Sequence, residues 1–100
     1  MRVRIVVVYE PRYRRGHQWQ FVPPITGIHL AALTPRDHVV EVIHEQVRPV
    51  PVDDRPDLVA LSFFAGFARR GYELADAYRR LGVPVAIGGP HASYWVDEAL

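Results

Sequence analysis

Near the end of the chain, the apolar run Val83–Ile87 stops at two glycines, a proline and a histidine, Gly88-Gly89-Pro90-His91. Because glycine has no Cβ, it lets a chain turn sharply at the end of a buried strand and lets a ligand approach the backbone. In an open parallel α/β sheet, ligands bind at this carboxyl end of the strands. The pattern therefore indicates either a ligand-binding turn or simply a tight turn into the next helix.

A second candidate region is the loop after the first predicted strand, Val3–Val8. That strand is apolar on both faces, which is typical of the centre of a parallel sheet. Residues 9–23 then interleave aromatic side chains with arginines, and βα loops of this length are usually functional. Such a loop would cover a planar ligand or dock another domain. Nucleic-acid binding is the less favoured alternative, because a net charge of +1 gives no wider basic surface.

The elements that position these loops follow an alternating pattern. Further strands are predicted at residues 39–43, 58–62 and 83–87, separated by a helix that begins at Pro24, a proline-rich crossover over residues 44–57, and a second helix after Gly66. Apolar residues at helical spacing mark one face of each helix: Ile25, Ile28, Ala31 and Ala32 in the first, and Phe67, Leu74, Ala75, Tyr78 and Leu81 in the second. Gly82 is placed to end the second helix.

This order predicts one α/β domain over residues 1–100, a doubly wound parallel sheet of Rossmann-like (flavodoxin-like) type with strand order 2-1-3-4. The loops after strands 1, 3 and 4 would then meet at one crevice. Residues 94–100 resemble the start of another helix and carry no stop signal. We therefore expect a sheet truncated before its last strand, in the N-terminal part of a longer protein.

Composition excludes several chemistries. The chain has no Cys and no Lys, and its twelve basic residues are all Arg. It therefore offers no thiolate nucleophile, no iron–sulfur ligand, no Schiff-base lysine and no P-loop lysine. No apolar run approaches the roughly 20 residues of a membrane span, and we expect a cytoplasmic protein with neither membrane nor nucleic acid as a partner.

Four segments together resemble a known family. They are Arg-Ile-Val-Val-Val-Tyr-Glu-Pro at residues 4–11, Pro-Pro at 23–24, Asp-Leu-Val-Ala-Leu-Ser at 57–62, and Val-Ala-Ile-Gly-Gly-Pro-His-Ala-Ser at 85–93. The set resembles the N-terminal cobalamin (B12)-binding domain of B12-dependent radical SAM proteins, a family that includes methyltransferases and the anaerobic Mg-protoporphyrin ester cyclase. The resemblance covers nearly the whole chain, and Gly-Gly-Pro-His-Ala is its most specific part.

The resemblance implies that the dimethylbenzimidazole tail of cobalamin lies in the crevice at the strand ends. Ser62 matches the serine that hydrogen-bonds the tail, and Gly88 and Gly89 match the glycines that allow close backbone approach. The full set of cofactor-binding residues that we carry over is Tyr9, Glu10, Pro11, Ser62, Phe63, Phe64, Ala65, Gly66, Gly88, Gly89, Pro90 and His91.

The histidines do not form an obvious metal site. The Asp-x-His-x-x-Gly motif of many cobalamin-binding domains is absent, because Arg15 and Gln20 stand where His17 would need Asp and Gly. His17 is therefore only a weak candidate for the cobalt ligand, and the resembled group typically lacks this motif. His91 would contact the tail phosphate or cap the following helix. Two solvated histidines, His38 and His44, and a packed His29 are the expectations for the rest.

As the resemblance implies, the chain would be a cobalamin-binding module that presents the corrinoid to a following radical SAM barrel. That barrel would bind S-adenosylmethionine and a [4Fe-4S] cluster, so the module alone is expected to have no activity. The alternative is a ligand-free docking scaffold of the same fold. A sheet edge left open by truncation would also favour self-association.

Overall fold

The computed structural model describes residues 1–10, 25–89, 93 and 95–100, with only the backbone described at Ala65. Within these ranges, four parallel strands form one sheet in the order β2-β1-β3-β4. The strands are β1 (Arg2–Val7), β2 (Val39–His44), β3 (Leu58–Ser62) and β4 (Val85–Gly88). The α/β class and the strand order predicted from the sequence are confirmed.

The helices lie on the two faces of this sheet. They are α1 (Ile25–Leu33), a 3₁₀ turn (Ala65–Phe67) that leads into α2 (Ala68–Arg80), and the short α3 (Val96–Ala99). Helix α1 packs on β1 and β2, whereas α2 packs on β3 and β4. No helix in the described ranges is both long enough and apolar enough to cross a bilayer.

The main core lies between the sheet and α2. Leu74 and Tyr78 of α2 are fully buried, as the helical spacing predicts, against Val6, Val59 and Leu61 of the central strands. These side chains alternate along β1 and β3 with those that face α1, which is the two-residue period of a strand. This packing holds α2 on one face of the sheet. Phe63, which follows β3, belongs to the same core and is held in place with it.

Gly82 ends α2 as predicted. Its φ is +80°, a value that suits glycine, and its N–H donates to the Arg79 carbonyl oxygen at 2.9 Å. The turn allows Val83, which is buried, to enter the core just before β4 begins.

Helix α1 approaches the sheet through a different face from the one predicted. Gly27 is its only buried residue, and a Cβ there would lie 2.7 Å from Cγ1 of Val42. Ile25 and Ile28, predicted to face the core, are largely exposed, and so is His29, predicted to be packed. The reason is that α1 is apolar all round, so hydrophobic spacing did not distinguish its faces and the glycine determined the contact.

The crossover between β2 and β3 is held by Arg4, which is only 2% exposed although it lies on a strand. Its guanidinium donates two hydrogen bonds to the Asp54 carboxylate, at 2.7 and 2.6 Å, one to Glu41 at 3.0 Å and one to the Tyr78 hydroxyl at 3.0 Å. The hydrogen bond to Asp54 raises the pKa of Arg4, and the same hydrogen bond lowers the pKa of Asp54 to about 2. Sequence reasoning found no role for Arg4 or Asp54, because their contact depends on the folded crossover.

Candidate functional site

A cleft of about 790 Å³ opens at the carboxyl ends of the strands. Its floor is apolar, formed by side chains of β1, β3 and β4 that face away from α2, among them Ile5, Val7, Ala60 and Ala86. Residues from each of the three predicted loops line it, namely Tyr9 after β1, Ser62, Phe63 and Phe64 at the end of β3, and Gly88 and Gly89 at the end of β4. Strand order explains this meeting, because β3 lies between β1 and β4 and all three strands are parallel.

The two glycines differ sharply in their surroundings. A Cβ built on Gly88 meets no atom of the described residues within 4 Å, so within the described part of the chain this backbone borders open space in the cleft. Gly89 has φ +107°, and a Cβ there would lie 2.6 Å from the Phe63 carbonyl oxygen. Gly88 therefore leaves room for a ligand, whereas Gly89 is required by the backbone of the protein itself.

The two phenylalanines after β3 also point in different directions. Phe63 is 3% exposed, and its ring packs edge-on against Tyr72 of α2 with ring centroids 5.7 Å apart. Phe64 is 63% exposed at the cleft. Phe64 is thus an aromatic surface available to a ligand, while the Phe63 ring supports the cleft from the core.

Ser62 stands at the centre of the cleft edge. Its backbone pairs with Val7 on one side and Gly88 on the other, and its carbonyl oxygen accepts a hydrogen bond from Val8 N–H at 2.9 Å. Its side chain lies on the same face as that of Ala60, two residues earlier, towards the cleft floor. This places one hydroxyl among largely apolar surroundings.

The start of the β1 loop is held by a buried acid. The backbone N–H of Tyr9 donates to Oε1 of Glu45 at 3.1 Å, and the Tyr9 ring lies 4.9 Å from that of Phe67. Both aromatic residues line the cleft. Glu10, the next predicted site residue, is half-buried but does not contribute to the lining.

Two cleft residues, His44 and Gln46, were missed by sequence reasoning. His44 is the last residue of β2 and Gln46 follows two positions later; both are half-buried, and both line the cleft. The prediction that His44 is solvated is therefore wrong, and burial lowers the pKa of its imidazole. The sequence pattern did not indicate this contribution, because His44 flanks an edge strand and the proline-rich residues 44–57 predict only an extended crossover.

The remaining predicted site residues either do not line the cleft or lie outside the described residues. Gly66 lies exposed in the 3₁₀ turn and does not line the cleft, and the side chain of Ala65 is not described. Pro11, His17, Pro90 and His91 lie outside the described residues. Among the residues that are described, no group of three or more His, Asp or Glu side chains could hold a metal ion.

The cleft has the character of a site for a flat, mainly apolar ligand. Most of the described residues in its walls are aromatic or aliphatic, and those with a polar side-chain group are Tyr9, Thr26 of α1, His44, Gln46 and Ser62. Small-molecule sites commonly combine an apolar pocket of roughly 300–1,000 Å³ with a small number of placed polar groups. The open space at Gly88 would admit a planar ring against the backbone.

No protein-family model matches the sequence, and no solved structure matches it. The chain is 35% identical over 71 residues to the bacteriochlorophyllide d C-8(2)-methyltransferase of Chlorobaculum tepidum. This similarity takes in 70% of the chain but only 16% of the methyltransferase. The chain therefore corresponds to a minor part of that relative's length.

Proposed function

We propose that this chain is the cobalamin-binding module of a B12-dependent radical SAM enzyme, with the nucleotide tail of cobalamin seated in the cleft at the strand ends. The observation that carries the proposal is Gly88, whose missing side chain leaves open space beside an apolar floor. The family resemblance of the four sequence segments supports it. The similarity to a methyltransferase agrees with one of the activities in that family.

Each part of the cleft has a role in this proposal. The dimethylbenzimidazole ring would lie over the small side chains of Ala60 and Ala86, with Phe64 covering its exposed face. Ser62 would hydrogen-bond the tail, and the backbone at Gly88 would approach it closely. When bound, cobalamin supplies the cobalt that carries a methyl group between donor and acceptor; the residues of this chain only bind and orient it.

The rest of the enzyme would lie elsewhere in a longer protein. A radical SAM barrel would supply S-adenosylmethionine and the [4Fe-4S] cluster, since the chain has no cysteine to ligate iron. The barrel of the same polypeptide is the partner we propose for the module. A cytoplasmic location remains a prediction from the sequence.

A ligand-free docking scaffold is the second candidate, and the outward face of α1 favours it. Ile25, Ile28 and Leu33 are each more than half exposed on that face. A scaffold would use such apolar surface to bind another domain, and would leave the cleft without a ligand.

Titration of the purified chain with hydroxocobalamin, followed by absorbance and calorimetry, distinguishes the two. We expect saturable binding that Gly88→Leu weakens at least about tenfold, equivalent to about 1.4 kcal/mol, because the new side chain fills the cleft. Ala32→Leu adds the same side chain to an exposed position of α1 and should leave the affinity unchanged. No binding by the folded wild-type chain would reject the cofactor role and favour the scaffold.

Two further variants test the walls of the cleft. Phe64→Ala should weaken binding, whereas Trp95→Ala removes an aromatic side chain of matching exposure, 62% against 63%, away from the cleft and should not. His17→Ala should leave the affinity unchanged. A spectral change or loss of binding on His17→Ala would make that histidine the cobalt ligand and overturn our assignment.

A further inference from the structure

The turn after β2 contains a carboxylate that is almost completely buried, with a side-chain exposure of 1% at Glu45. Oε2 accepts two hydrogen bonds from Arg70 of α2, from Nε at 3.0 Å and from Nη2 at 2.7 Å. Oε1 accepts the backbone N–H of Tyr9 at 3.1 Å, and the Glu45 N–H donates to the Val7 carbonyl oxygen at 3.1 Å. One residue thus connects the ends of β1 and β2 to the first turns of α2.

Glu45 does not line the cleft itself, but residues next to it in the chain and in space do. Its two neighbours in the chain, His44 and Gln46, line the cleft, and so does Tyr9. Phe67, which also lines the cleft, packs on the Tyr9 ring just before α2 begins. A shift of the Glu45 carboxylate would therefore move two walls of the cleft at once.

The chemistry of this site favours a geometric role over a gain in stability. A buried carboxylate is costly to desolvate, and its partners often do little more than offset that cost. Burial acts to lower the pKa of Arg70, but the hydrogen bonds and charges of Glu45 and Glu73 together outweigh it and raise that pKa overall, so the arginine stays charged. A carboxylate also accepts all three N–H donors, which no neutral side chain of similar size does.

We propose that Glu45 is a positioning residue that sets the width of the cleft, and thereby its affinity for a flat ligand, by fixing Tyr9 and the turn at residues 44–46. The identity of the ligand rests on the proposed function, whereas the geometric role does not. In Glu45→Gln, only the amide oxygen accepts, so the amide NH₂ must face either the Tyr9 N–H or the two N–H groups of Arg70. The Tyr9 backbone and the turn should then loosen together.

A matched control exists on the same sheet. The pair Arg4–Asp54 is also an arginine–carboxylate pair with two short bonds, at 2.7 and 2.6 Å, and neither residue lines the cleft. Asp54→Asn should therefore lower the stability of the fold and leave the shape of the cleft unchanged. Glu45→Gln should change the shape of the cleft as well as the stability of the fold.

Hydrogen exchange and cobalamin titration test the inference on these variants. In Glu45→Gln, we expect the Tyr9 amide to exchange at least about tenfold faster relative to the Leu74 amide of α2, which reports opening of the core. The affinity for hydroxocobalamin should fall at least about tenfold in the fully folded variant, and by less than about twofold in Asp54→Asn. Arg70→Lys keeps the positive charge but loses the pair of hydrogen bonds from the guanidinium to Oε2 of Glu45. This variant takes the place of Glu45→Gln if Glu45→Gln does not fold.

The outcomes separate the two proposals. If the wild-type chain does not bind hydroxocobalamin, the proposed function fails, and the Tyr9 exchange rate alone decides the role of Glu45. Unchanged Tyr9 exchange in folded Glu45→Gln, or in Arg70→Lys, overturns the positioning role. Faster exchange with an unchanged affinity in a chain that binds cobalamin also overturns it, because the cleft would then not depend on Glu45.

Discussion

Gly89 and Phe63 lie in backbone contact across the ends of β4 and β3. A Cβ at Gly89 would lie 2.6 Å from the carbonyl oxygen and 3.2 Å from the nitrogen of Phe63, in a backbone with φ +107°. At the preceding residue, Gly88, no described residue occupies the space where a side chain would be. The glycine pair therefore divides two tasks between neighbours: Gly89 closes the turn, and Gly88 leaves the cleft open.

Substitution of each glycine by alanine should separate these tasks. Gly89→Ala should lower the free energy of unfolding by about 1–3 kcal/mol, because it places a Cβ against Phe63 in a backbone region that suits glycine. Gly88→Ala should change it by about 0.5–1 kcal/mol at most, and in the stabilising direction, since alanine loses less entropy on folding. Urea unfolding followed by circular dichroism measures both. Equal losses in the two variants would contradict this division.

The strands and the buried face of α2 could be predicted from the local pattern of apolar residues, and the strand order followed from right-handed crossovers in a flavodoxin-like arrangement. The sequence was not enough to separate Gly88 from Gly89, since the difference depends on the Phe63 backbone some 26 positions away. The burial of two charged residues was also not predicted. No sequence pattern indicated that Arg4 and Glu45 are buried, because their partners Asp54 and Arg70 become neighbours only after the sheet and α2 have assembled.

The Tyr78 hydroxyl should contribute to stability through two buried contacts. It accepts a hydrogen bond from Arg4 and donates one to the Pro51 carbonyl oxygen. Burial raises the pKa of Tyr78, although the Arg4 charge acts in the opposite direction. Tyr78→Phe keeps the ring but leaves both partners with one bond fewer, which should cost about 1–3 kcal/mol in unfolding free energy.

Urea denaturation compared with Tyr72→Phe checks this value. Tyr72 donates its hydroxyl proton to Glu98 at an exposed site, at 2.9 Å, so its loss should cost clearly less. A Tyr78→Phe variant as stable as the wild type would show that Arg4 and Pro51 are satisfied without the hydroxyl.

Asp54 should make stability fall in acid. Its hydrogen bond from Arg4 lowers its pKa from 3.8 to about 2 in the folded chain. A lowered pKa means that the unfolded chain takes up the proton first, so stability is fully present above about pH 4 and declines as the pH falls from about 4 to 2. The free energy of unfolding, measured from pH 7 to pH 2, should decline less steeply over this interval in Asp54→Asn. Parallel curves for the two proteins would assign the acid sensitivity to other carboxylates.

Gly71 of α2 should resist even the smallest side chain. A Cβ there would lie 2.3 Å from Cε1 and 2.4 Å from Cδ1 of the buried Phe63 ring. Overpacking of this kind typically costs about 1–3 kcal/mol, which exceeds the gain of about 1 kcal/mol expected from alanine in a helix. Gly71→Ala should therefore destabilise the chain in thermal and urea unfolding.

A double-mutant cycle with Phe63→Leu tests the cause. If the ring is the obstacle, Gly71→Ala should cost less in the Phe63→Leu background, and the coupling energy should reach about 0.5–3 kcal/mol. Additive effects would place the strain elsewhere in α2.

In the described part of the chain, no strand pairs with the outer edge of β4, and we expect this edge to mediate self-association of the isolated chain. The Pro84 and Gly88 carbonyl oxygens accept hydrogen bonds from the N–H groups of Val59 and Phe63, so the alternation of a parallel strand directs the backbone groups of Val85 and Ile87 away from the sheet. An open strand edge of this kind can pair with another copy. Ile87→Pro removes an outward N–H without removing a bond to β3 and should reduce the sedimentation-derived dimer fraction severalfold. Ile28→Lys, on the exposed face of α1, is the control: if it is the variant that restores the monomer, the contact lies on α1 and the edge prediction is wrong.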